Sequence, residues 1–240
     1  MSQDSISFDS LDVDNTLTGT LAGIDLAAGE NTLVSFYLGY AGSNQKYEDI
    51  KINQTGYVLG ATGMLIKEKL YAGLTGNINF NKAESESDYG TDSFDMSMFS
   101  VGAKAGYNYA INDKWALEPN LTLMYGNVSN QEYDTTQGAK IDSQSVANII
   151  AEPQIKAKFD LSDGWQPYAI LGYLINMGDD RKVVADETEF EMDKIDGYVE
   201  YGAGVNKEFI NTPWSCYAQV TGRSGGINGV SGNLGVKYKF

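Results

Sequence analysis

The sequence predicts an all-β protein: a closed antiparallel transmembrane β-barrel of about twelve strands, with short periplasmic turns and long extracellular loops. Three observations support this fold class. Apolar and polar side chains alternate along most of the chain, the connections fall into a short and a long class, and aromatic residues recur at one end of the strands. A transmembrane barrel accounts for all three, because each strand faces lipid on one side and a polar lumen on the other.

The alternation has a period of two residues. In KLYAGLTGNINF, Leu70, Leu74 and Phe80 share one face, while Gly73 and Asn77 share the other. The same pattern occurs in WALEPNLTLMYG, NIIAEPQIKAKF and YAILGYLINM, and further runs begin near residues 20, 32, 56, 97, 197 and 214. With a weaker candidate in SISFDSLDV and the closing run GNLGVKYKF, we expect about twelve strands. An even number brings both termini to the side of the short turns.

The connections between these runs alternate in length down the middle of the chain. The short ones are AAGEN, IKEK, INDK, LSDG and INTP. The long ones are acidic and polar: SNQKYEDIKIN, NKAESESDYGTDS, NVSNQEYDTTQGAKID and GDDRKVVADETEFEMDKID. Outer-membrane barrels keep short turns on the periplasmic side and long loops outside. The acidic segment 179–196 could bind divalent cations, but we interpret it as a solvated loop facing lipopolysaccharide.

The composition excludes several classes of function. The chain contains no histidine and has a formal net charge of −15. Nucleophile systems and zinc sites that depend on histidine are therefore excluded, and although carboxylate-only or Ser-Lys chemistry survives, no motif supports it. We expect no enzyme activity, no catalytic residues, no cofactor and no metal site. The acidic balance also argues against nucleic acid as a partner, since phosphate binding needs a basic surface.

Two features would also fit a soluble cytoplasmic protein. No run approaches the roughly 20 apolar residues that a spanning helix needs, and the opening MSQDSISFDS has neither the basic region nor the apolar core of an export signal. The alternative is a mature or excised domain whose export signal lay upstream. The strand pattern favours this alternative, and we expect the protein in the outer membrane of a Gram-negative bacterium with no export signal in this chain.

Aromatic residues mark one rim of the predicted barrel. Trp115, Trp165 and Trp214 each begin a strand directly after a short turn, and Phe240 ends the last strand at the same rim. Tryptophan favours a water-lipid boundary, because its ring is buried while its N–H stays within reach of water. We therefore predict an aromatic girdle at these three tryptophans. Cys216, two residues after Trp214, is predicted to face lipid as a small hydrophobic side chain.

The last strand resembles the C-terminal β-signal of bacterial outer-membrane proteins. Its residues alternate strictly, and Asn233, Gly235, Tyr238 and the terminal Phe240 match the polar, small and aromatic positions of that signal. The resemblance implies that the barrel-assembly machinery recognises this strand. The strand must also pair at both edges, because an open sheet edge in lipid leaves backbone groups without partners.

Most of the chain resembles the autotransporter β-domain of type V secretion. The resemblance rests on the order and spacing of LAGIDLAAGENTLVSFYLGYAG, EPNLTLMYGNV, QPYAILGYLIN, GYVEYGAGVNKEF, CYAQVTGRSGG and SGNLGVKYKF. It implies a twelve-stranded translocator barrel that anchors and helps to export an N-terminal passenger, in contact with outer-membrane lipid and lipopolysaccharide. A small porin or opacity-like surface barrel, acting in passive diffusion or adhesion, is the alternative.

The start of the chain departs from that family. The family carries an α-helix through the pore before its first strand, whereas here only about twenty residues precede LAGIDL and they show no helical period. We therefore divide the chain into residues 1–18, a possible first strand or linker remnant, and a barrel at residues 19–240. A passenger would be absent from this chain.

Charged residues on the polar faces are the candidates for a functional lumen. They could line a conduit or hold a linker helix, or they could pair with each other across a wet interior. The candidates are Lys104, Glu118, Glu152, Lys156, Lys158 and Arg223.

Overall fold

A computed structural model describes residues 1–8, 11–178, 181–185, 188–192 and 195–239. Within them the chain forms strands β1 to β17 and one 3-10 turn, Ser162–Gly164. The strands are β1 (Ser2–Phe8), β2 (Leu11–Ala27), β3 (Thr32–Tyr47), β4 (Ile50–Lys67), β5 (Leu70–Ser87), β6 (Gly90–Tyr107), β7 (Tyr109–Ala110), β8 (Trp115–Asn130), β9 (Tyr133–Asp134), β10 (Lys140–Ile141), β11 (Gln144–Phe159), β12 (Trp165–Asn176), β13 (Arg181–Ala185), β14 (Thr188–Met192), β15 (Tyr198–Glu208), β16 (Trp214–Gly225) and β17 (Ile227–Tyr238). No helix in these described ranges has the length and hydropathy needed to cross a membrane.

Twelve of these strands form one closed antiparallel barrel. The strands β1 to β6, β8, β11, β12 and β15 to β17 each pair with two neighbours. The ring closes because β8 pairs with β11 and the first strand, β1, pairs with the last, β17. The short strand β7 adds to the end of β8. The predicted fold class, an antiparallel barrel of about twelve strands, is confirmed.

The period-two pattern decides which side chains face out. The outward rows of β4, β5 and β12 include Leu59, Leu74 and Leu171, which remain 55%, 66% and 55% exposed. An apolar outer surface is stable only against lipid, so these rows define the membrane-facing side. The inward rows carry small and polar residues, and a Cβ at Gly106 would overlap the Tyr71 ring that crosses it.

The short and the long connections lie on opposite sides of the barrel, as predicted. The long connections, however, contain additional short strands. Five short connections, at residues 28–31, 68–69, 108–114, 160–164 and 209–213, lie on one side. On the other side, the connections that contain β9 and β10, and β13 and β14, build a second, four-stranded sheet. Its two halves meet where Ile141 of β10 pairs with Ala185 of β13.

Two segments expected as long loops are extended hairpins instead. Residues 43–53 and 81–93 continue β3 into β4 and β5 into β6, with only residues 48–49 and 88–89 between the strands. The hydrogen-bond ladder between the strands continues through these segments. Their polar side chains alternate between the two faces of the hairpin and can form cross-strand pairs in water. These strands of 16 to 18 residues exceed the roughly 9 to 11 residues that cross a bilayer, so they project beyond it.

The second sheet is attached to one of these projecting hairpins. The Thr136 backbone N–H donates to Asp92 Oδ1 over 2.6 Å, and the Tyr133 ring stacks on Phe94 with centroids 4.6 Å apart. Burial raises the pKa of the Tyr133 hydroxyl, and the nearby Asp92 carboxylate raises it further. Tyr133 therefore stays neutral at ordinary pH, and this contact does not depend on its ionisation.

The two ends of the chain sit at different heights in the wall. The last strand, β17, reaches the rim of the short turns, where Tyr238 contacts Trp214. Met1 instead pairs with Gly232, partway along β17, although it was expected on the short-turn side.

The segment SISFDSLDV is not one strand, since β1 ends in it and β2 begins in it. Phe240 and parts of the acidic segment 179–196 lie outside the described residues.

Candidate functional site in the lumen and at the seam

One side of the lumen, formed by β3 to β6, is lined mainly by neutral polar groups, apart from Lys104 of β6. The Thr62 hydroxyl donates to Thr75 Oγ1 over 2.9 Å, and the Tyr37 hydroxyl lies 3.3 Å from the same oxygen. Asn79 donates to Asn77 Oδ1 over 2.9 Å in the same inward row. This side offers hydrogen-bonding groups to water or to a passing chain and carries little charge.

The adjoining strands β8 and β11 hold a first ion cluster near the short turns. Lys158 Nζ lies 2.7 Å from Glu118 Oε2, and the Tyr71 hydroxyl donates to Glu118 Oε1 over 2.8 Å. Lys156, the direct neighbour of Glu118 across the strands, lies over the Tyr168 ring at 4.9 Å. These side chains therefore contact neighbours along the wall.

A second cluster surrounds Arg223 on β16. Its guanidinium lies 3.0 Å from Asp4 of β1 and 3.3 Å from Glu200 of β15, and its Cζ lies 5.9 Å from the Tyr198 ring. The contact with Asp4 crosses β17 at Gly229, where a Cβ would overlap the Asp4 carboxylate. Arg223 therefore ties the first strand to the last two strands of the barrel.

The predicted charged candidates all lie in inward rows, but their contacts differ. Lys104 is exposed to the lumen beside Thr122, and Glu152, which accepts a 3.2 Å hydrogen bond from Gln154, lies on the other side of Thr122. The sequence reasoning did not select Asp4 or Glu200. Glu200 could have been found from its inward position in YVEYGAGV, whereas Asp4 could not, because its strand was not recognised.

The aromatic girdle residues lie at the rim of the short turns. Trp115, Trp165 and Trp214 begin β8, β12 and β16 and are each about half exposed on the outer side. Trp115 packs on Phe159 with centroids 4.6 Å apart, and Lys207 Nζ lies 4.9 Å from the Trp165 ring. These positions suit a water-lipid boundary.

The residues of the predicted assembly signal lie along β17, apart from Phe240, which is outside the described residues. Tyr238 packs edge-on against Trp214 at 4.8 Å. The Tyr217 ring lies over Gly235, and Asn233 lies in the inward row above it. Cys216, opposite Val236, lies in the outer row of β16.

The barrel wall contains a seam below the amino terminus. We define the seam as the facing edges of residues 18–27 of β2 and 233–237 of β17. Above it, β1 pairs with both strands, but within the described residues neither edge has a ladder partner below Met1. Asp25 and Lys237 form an ion pair across it near the rim. A cavity of about 740 Å³ is bordered by both edges.

The fold and the lumen define the class of protein: a transmembrane β-barrel with an apolar outer face and a polar interior. A family model, the autotransporter beta-domain, matches residues 3–221. The chain belongs to this family and is an outer-membrane translocator barrel of type V secretion. A search of curated protein sequences found no match.

Solved structures with the same architecture support the assignment of the fold. The translocator domain of the autotransporter NalP from Neisseria meningitidis matches with a TM-score of 0.85 and 18% identity, covering 100% of this chain and 86% of that one. The transport unit of the autotransporter AIDA-I from Escherichia coli matches with a TM-score of 0.84 and 17% identity, covering 100% and 88%. The beta domain of the Bordetella autotransporter BrkA gives 0.75 and 20%, covering 100% and 96%.

Proposed function

We propose that this barrel anchors a passenger in the outer membrane and supports its export to the cell surface, with the passenger joined to the amino-terminal side of the chain. The lining of the lumen is the main observation that supports this proposal. Its charges form ion pairs at β8, β11, β15, β16 and β1, and the inward rows of β3 to β6 are mainly neutral and polar. In the described part of the chain, every strand of the main sheet is part of the wall. An extended polypeptide could cross such a passage with its backbone hydrated.

The position of the amino terminus supports the same proposal. Met1 lies in the wall beside Gly232, and β1 runs from there toward the projecting hairpins. A polypeptide joined to Met1 would therefore begin at the seam, next to the cavity that both edges border.

The proposed partners contact three parts of the barrel outside the lumen. The outer rows contact outer-membrane lipid, the projecting hairpins contact lipopolysaccharide, and the strand β17 is recognised by the barrel-assembly machinery. The proposed function needs no enzyme activity. The chain has no histidine, and its described residues hold no cluster of three Cys, Asp or Glu side chains suited to a metal ion.

Surface display tests this function. The chain is expressed in a Gram-negative host with an export signal and a short epitope-tagged passenger joined before Met1, and antibody binding to intact cells is measured. We expect surface labelling that external protease removes. The control is the same signal and passenger without the barrel, which should stay in the periplasm. A barrel that assembles in the outer membrane while its passenger stays periplasmic would contradict the proposal and favour a porin-like role.

A further inference from the structure

A row of outward residues crosses the wall at the base of the projecting hairpins, and we call it the boundary row. It contains three aromatic side chains on β3 to β5 and three serines on β6, β8 and β11: Tyr40, Tyr57, Phe80, Ser97, Ser129 and Ser145. The Tyr40 and Tyr57 rings pack with centroids 5.2 Å apart and are 48% and 65% exposed. Ser129 and Ser145 lie at the outer ends of β8 and β11. Because barrel strands tilt, the row passes from aromatic rings at the lipid surface to serines in water.

The height of the aromatic half fits the outer surface of the bilayer. Tyr57 and Phe80 lie about ten residues along β4 and β5 from the short turn at residues 68–69, which is the length of strand that crosses a bilayer. The next outward residues toward the short turns are apolar and about half exposed: Leu38, Leu59 and Ile78. In the other direction the outer face becomes polar, with Lys82 of β5 directly opposite Asp95 of β6. The boundary row therefore separates the lipid chains from the headgroups of the outer leaflet.

A cavity of about 630 Å³ lies against the boundary row. Its lining combines aromatic rings with a cation, a carboxylate and hydroxyl groups, including Tyr57, Phe80, Lys82, Asp95, Ser97 and Ser129. The volume falls within the range of sites for small molecules, about 300 to 1,000 Å³. The rings lie toward the lipid and the polar groups lie toward water, so the cavity suits an amphipathic ligand.

The two charged side chains of the cavity are not paired with each other. Lys82 and Asp95 are exposed and directly opposite in register, yet in the described part of the chain neither side chain forms an ion pair or a hydrogen bond. All three N–H donors of the Lys82 ammonium are therefore available to a ligand. The next outward residues of β5 are the carboxylates Glu84 and Glu86, so an anionic group of a ligand should sit at Lys82 and not farther from the membrane.

We propose that this cavity binds the phosphorylated sugar headgroup of a lipopolysaccharide molecule in the outer leaflet. The Lys82 ammonium pairs with a phosphate, while the Asp95 carboxylate and the serine hydroxyls form hydrogen bonds with sugar hydroxyls. The aromatic rings pack on the apolar face of the sugar, and the acyl chains continue over the apolar residues below. This inference rests on the proposed function for the placement of the barrel in the outer membrane, and it assigns one partner to a defined site.

The polar side of the cavity favours this lipid over a glycerophospholipid. A glycerophospholipid brings a phosphate for Lys82 but no sugar ring to lie against Tyr57 and Phe80. It would also leave the Asp95 carboxylate and the hydroxyls of Ser97 and Ser129 to water. Lipopolysaccharide carries phosphate, sugar and acyl chains in one molecule, in the order in which the cavity presents its cation, hydroxyl groups and apolar surface.

Native mass spectrometry of the refolded chain in detergent tests the proposal. The chain is mixed with equal amounts of phosphatidylglycerol and of lipopolysaccharide truncated after its inner sugars, and the retained lipid is counted. We expect one lipopolysaccharide per barrel in preference to phosphatidylglycerol. Lys82→Gln should weaken its binding about ten-fold, the scale of one charge-assisted hydrogen bond at an exposed site. The matched control is Lys51→Gln, which removes an outward lysine farther from the boundary row and should bind as the unchanged chain does.

Two further measurements identify the contact and the cavity separately. Lipopolysaccharide stripped of its phosphates should bind the unchanged chain about ten-fold more weakly, and Lys82→Gln should weaken that binding no further. Ser97→Trp fills the cavity without changing a charge, and it should abolish retention. Circular dichroism checks that each variant has refolded before its lipid is counted.

Four results would each overturn the proposal. Equal retention of phosphatidylglycerol and lipopolysaccharide would assign the cavity to lipid of any kind. An equal loss for Lys51→Gln and Lys82→Gln would reduce the effect to general attraction of charge. Full binding by Ser97→Trp would place the ligand elsewhere on the barrel. A soluble sugar phosphate without acyl chains that binds as tightly as lipopolysaccharide would make the cavity a site for a free saccharide.

Surface display of a passenger separates this proposal from the proposed function. If the passenger reaches the surface while the unchanged chain retains no lipopolysaccharide, export stands and the binding site does not. If lipopolysaccharide is retained through Lys82 but no passenger reaches the surface, the binding site stands and export fails.

Discussion

At the scale of single residues, whether a side chain faces lipid or the lumen decides how much a substitution destabilises the barrel. Leu121 and Leu171 lie in outer rows and are 45% and 55% exposed. We expect Leu121→Arg or Leu171→Arg to lower the free energy of unfolding by roughly 2 to 4 kcal/mol, because arginine near the midplane of a bilayer loses its hydration. Urea unfolding of protein refolded into lipid vesicles measures this.

The matched control lies one residue along the same strand. Thr122 is in the inward row between Lys104 and Glu152, so Thr122→Arg places a charge in water beside a carboxylate. Its cost should be much smaller. Equal losses for positions 121 and 122 would show that the facing assignment is wrong.

Replacement of Arg223 should also lower the free energy of unfolding. It contacts Asp4, whose side chain is 8% exposed, and Glu200, which is 18% exposed. Arg223→Gln should destabilise the barrel by about 3 kcal/mol, the lower end for a broken buried ion pair, because Arg223 keeps some contact with lumen water. It should also speed exchange of the β1 amides. Lys104→Gln is the control, and a similar loss there would argue against a specific link between β1 and β16.

At the scale of elements, β17 packs at the rim of the barrel, and we propose that it is also recognised by the barrel-assembly machinery. Its rim end packs through Tyr238 on Trp214, and the proposed assembly signal ends at Phe240, outside the described residues. We expect Phe240→Ser to refold in detergent with a modest loss, on the order of 1.5 to 3 kcal/mol, the range for a large apolar side chain. Insertion in living cells should fall far more, because the assembly machinery would lose the final aromatic position.

Leu121→Ser separates the two roles of Phe240. It also removes an apolar contact but leaves the last strand intact, so it should lose similar stability in detergent and insert much better in cells. Outer-membrane fractionation of the two variants at equal expression gives the comparison. Equal insertion at equal stability would reduce Phe240 to a packing residue.

The elements also show what the sequence can and cannot predict. Period-two alternation placed Leu121 outward and Glu118 inward without any knowledge of the fold, because a strand with one lipid face has no other solution. The same rule could not separate loops from projecting strands in residues 43–53 and 81–93. There, both faces are polar, and only the two-residue turns reveal the hairpins.

The seam lay beyond sequence reasoning for a different reason. It depends on where β1 begins relative to β17, and register between the ends of a chain has no local signal. The pairing of Asp4 with Arg223 was missed with it, since the short strand β1 is hidden in the segment SISFDSLDV.

At the scale of the whole molecule, the barrel is asymmetric in charge. The strands β8, β11, β15, β16 and β1 carry the charged residues of the lumenal ion clusters, while β3 to β6 carry mainly threonine, asparagine and tyrosine, with Lys104 as the exception. Most of the net charge of −15 therefore lies outside the lumen, largely in the projecting hairpins and the outer connections. A chain crossing the lumen would meet hydrogen-bonding groups on one side and paired charges on the other.

Passage of a passenger through this lumen is tested most directly by site-specific cross-linking. A passenger with a folded, disulfide-locked segment is used to stall export in cells, with a photoreactive amino acid at position 122 or at position 121. Position 122 faces the lumen and position 121 faces lipid, although they are neighbours on β8. We predict passenger cross-links from position 122 and none from position 121. Cross-links from 121 alone, or equal yields from both, would contradict passage through the lumen.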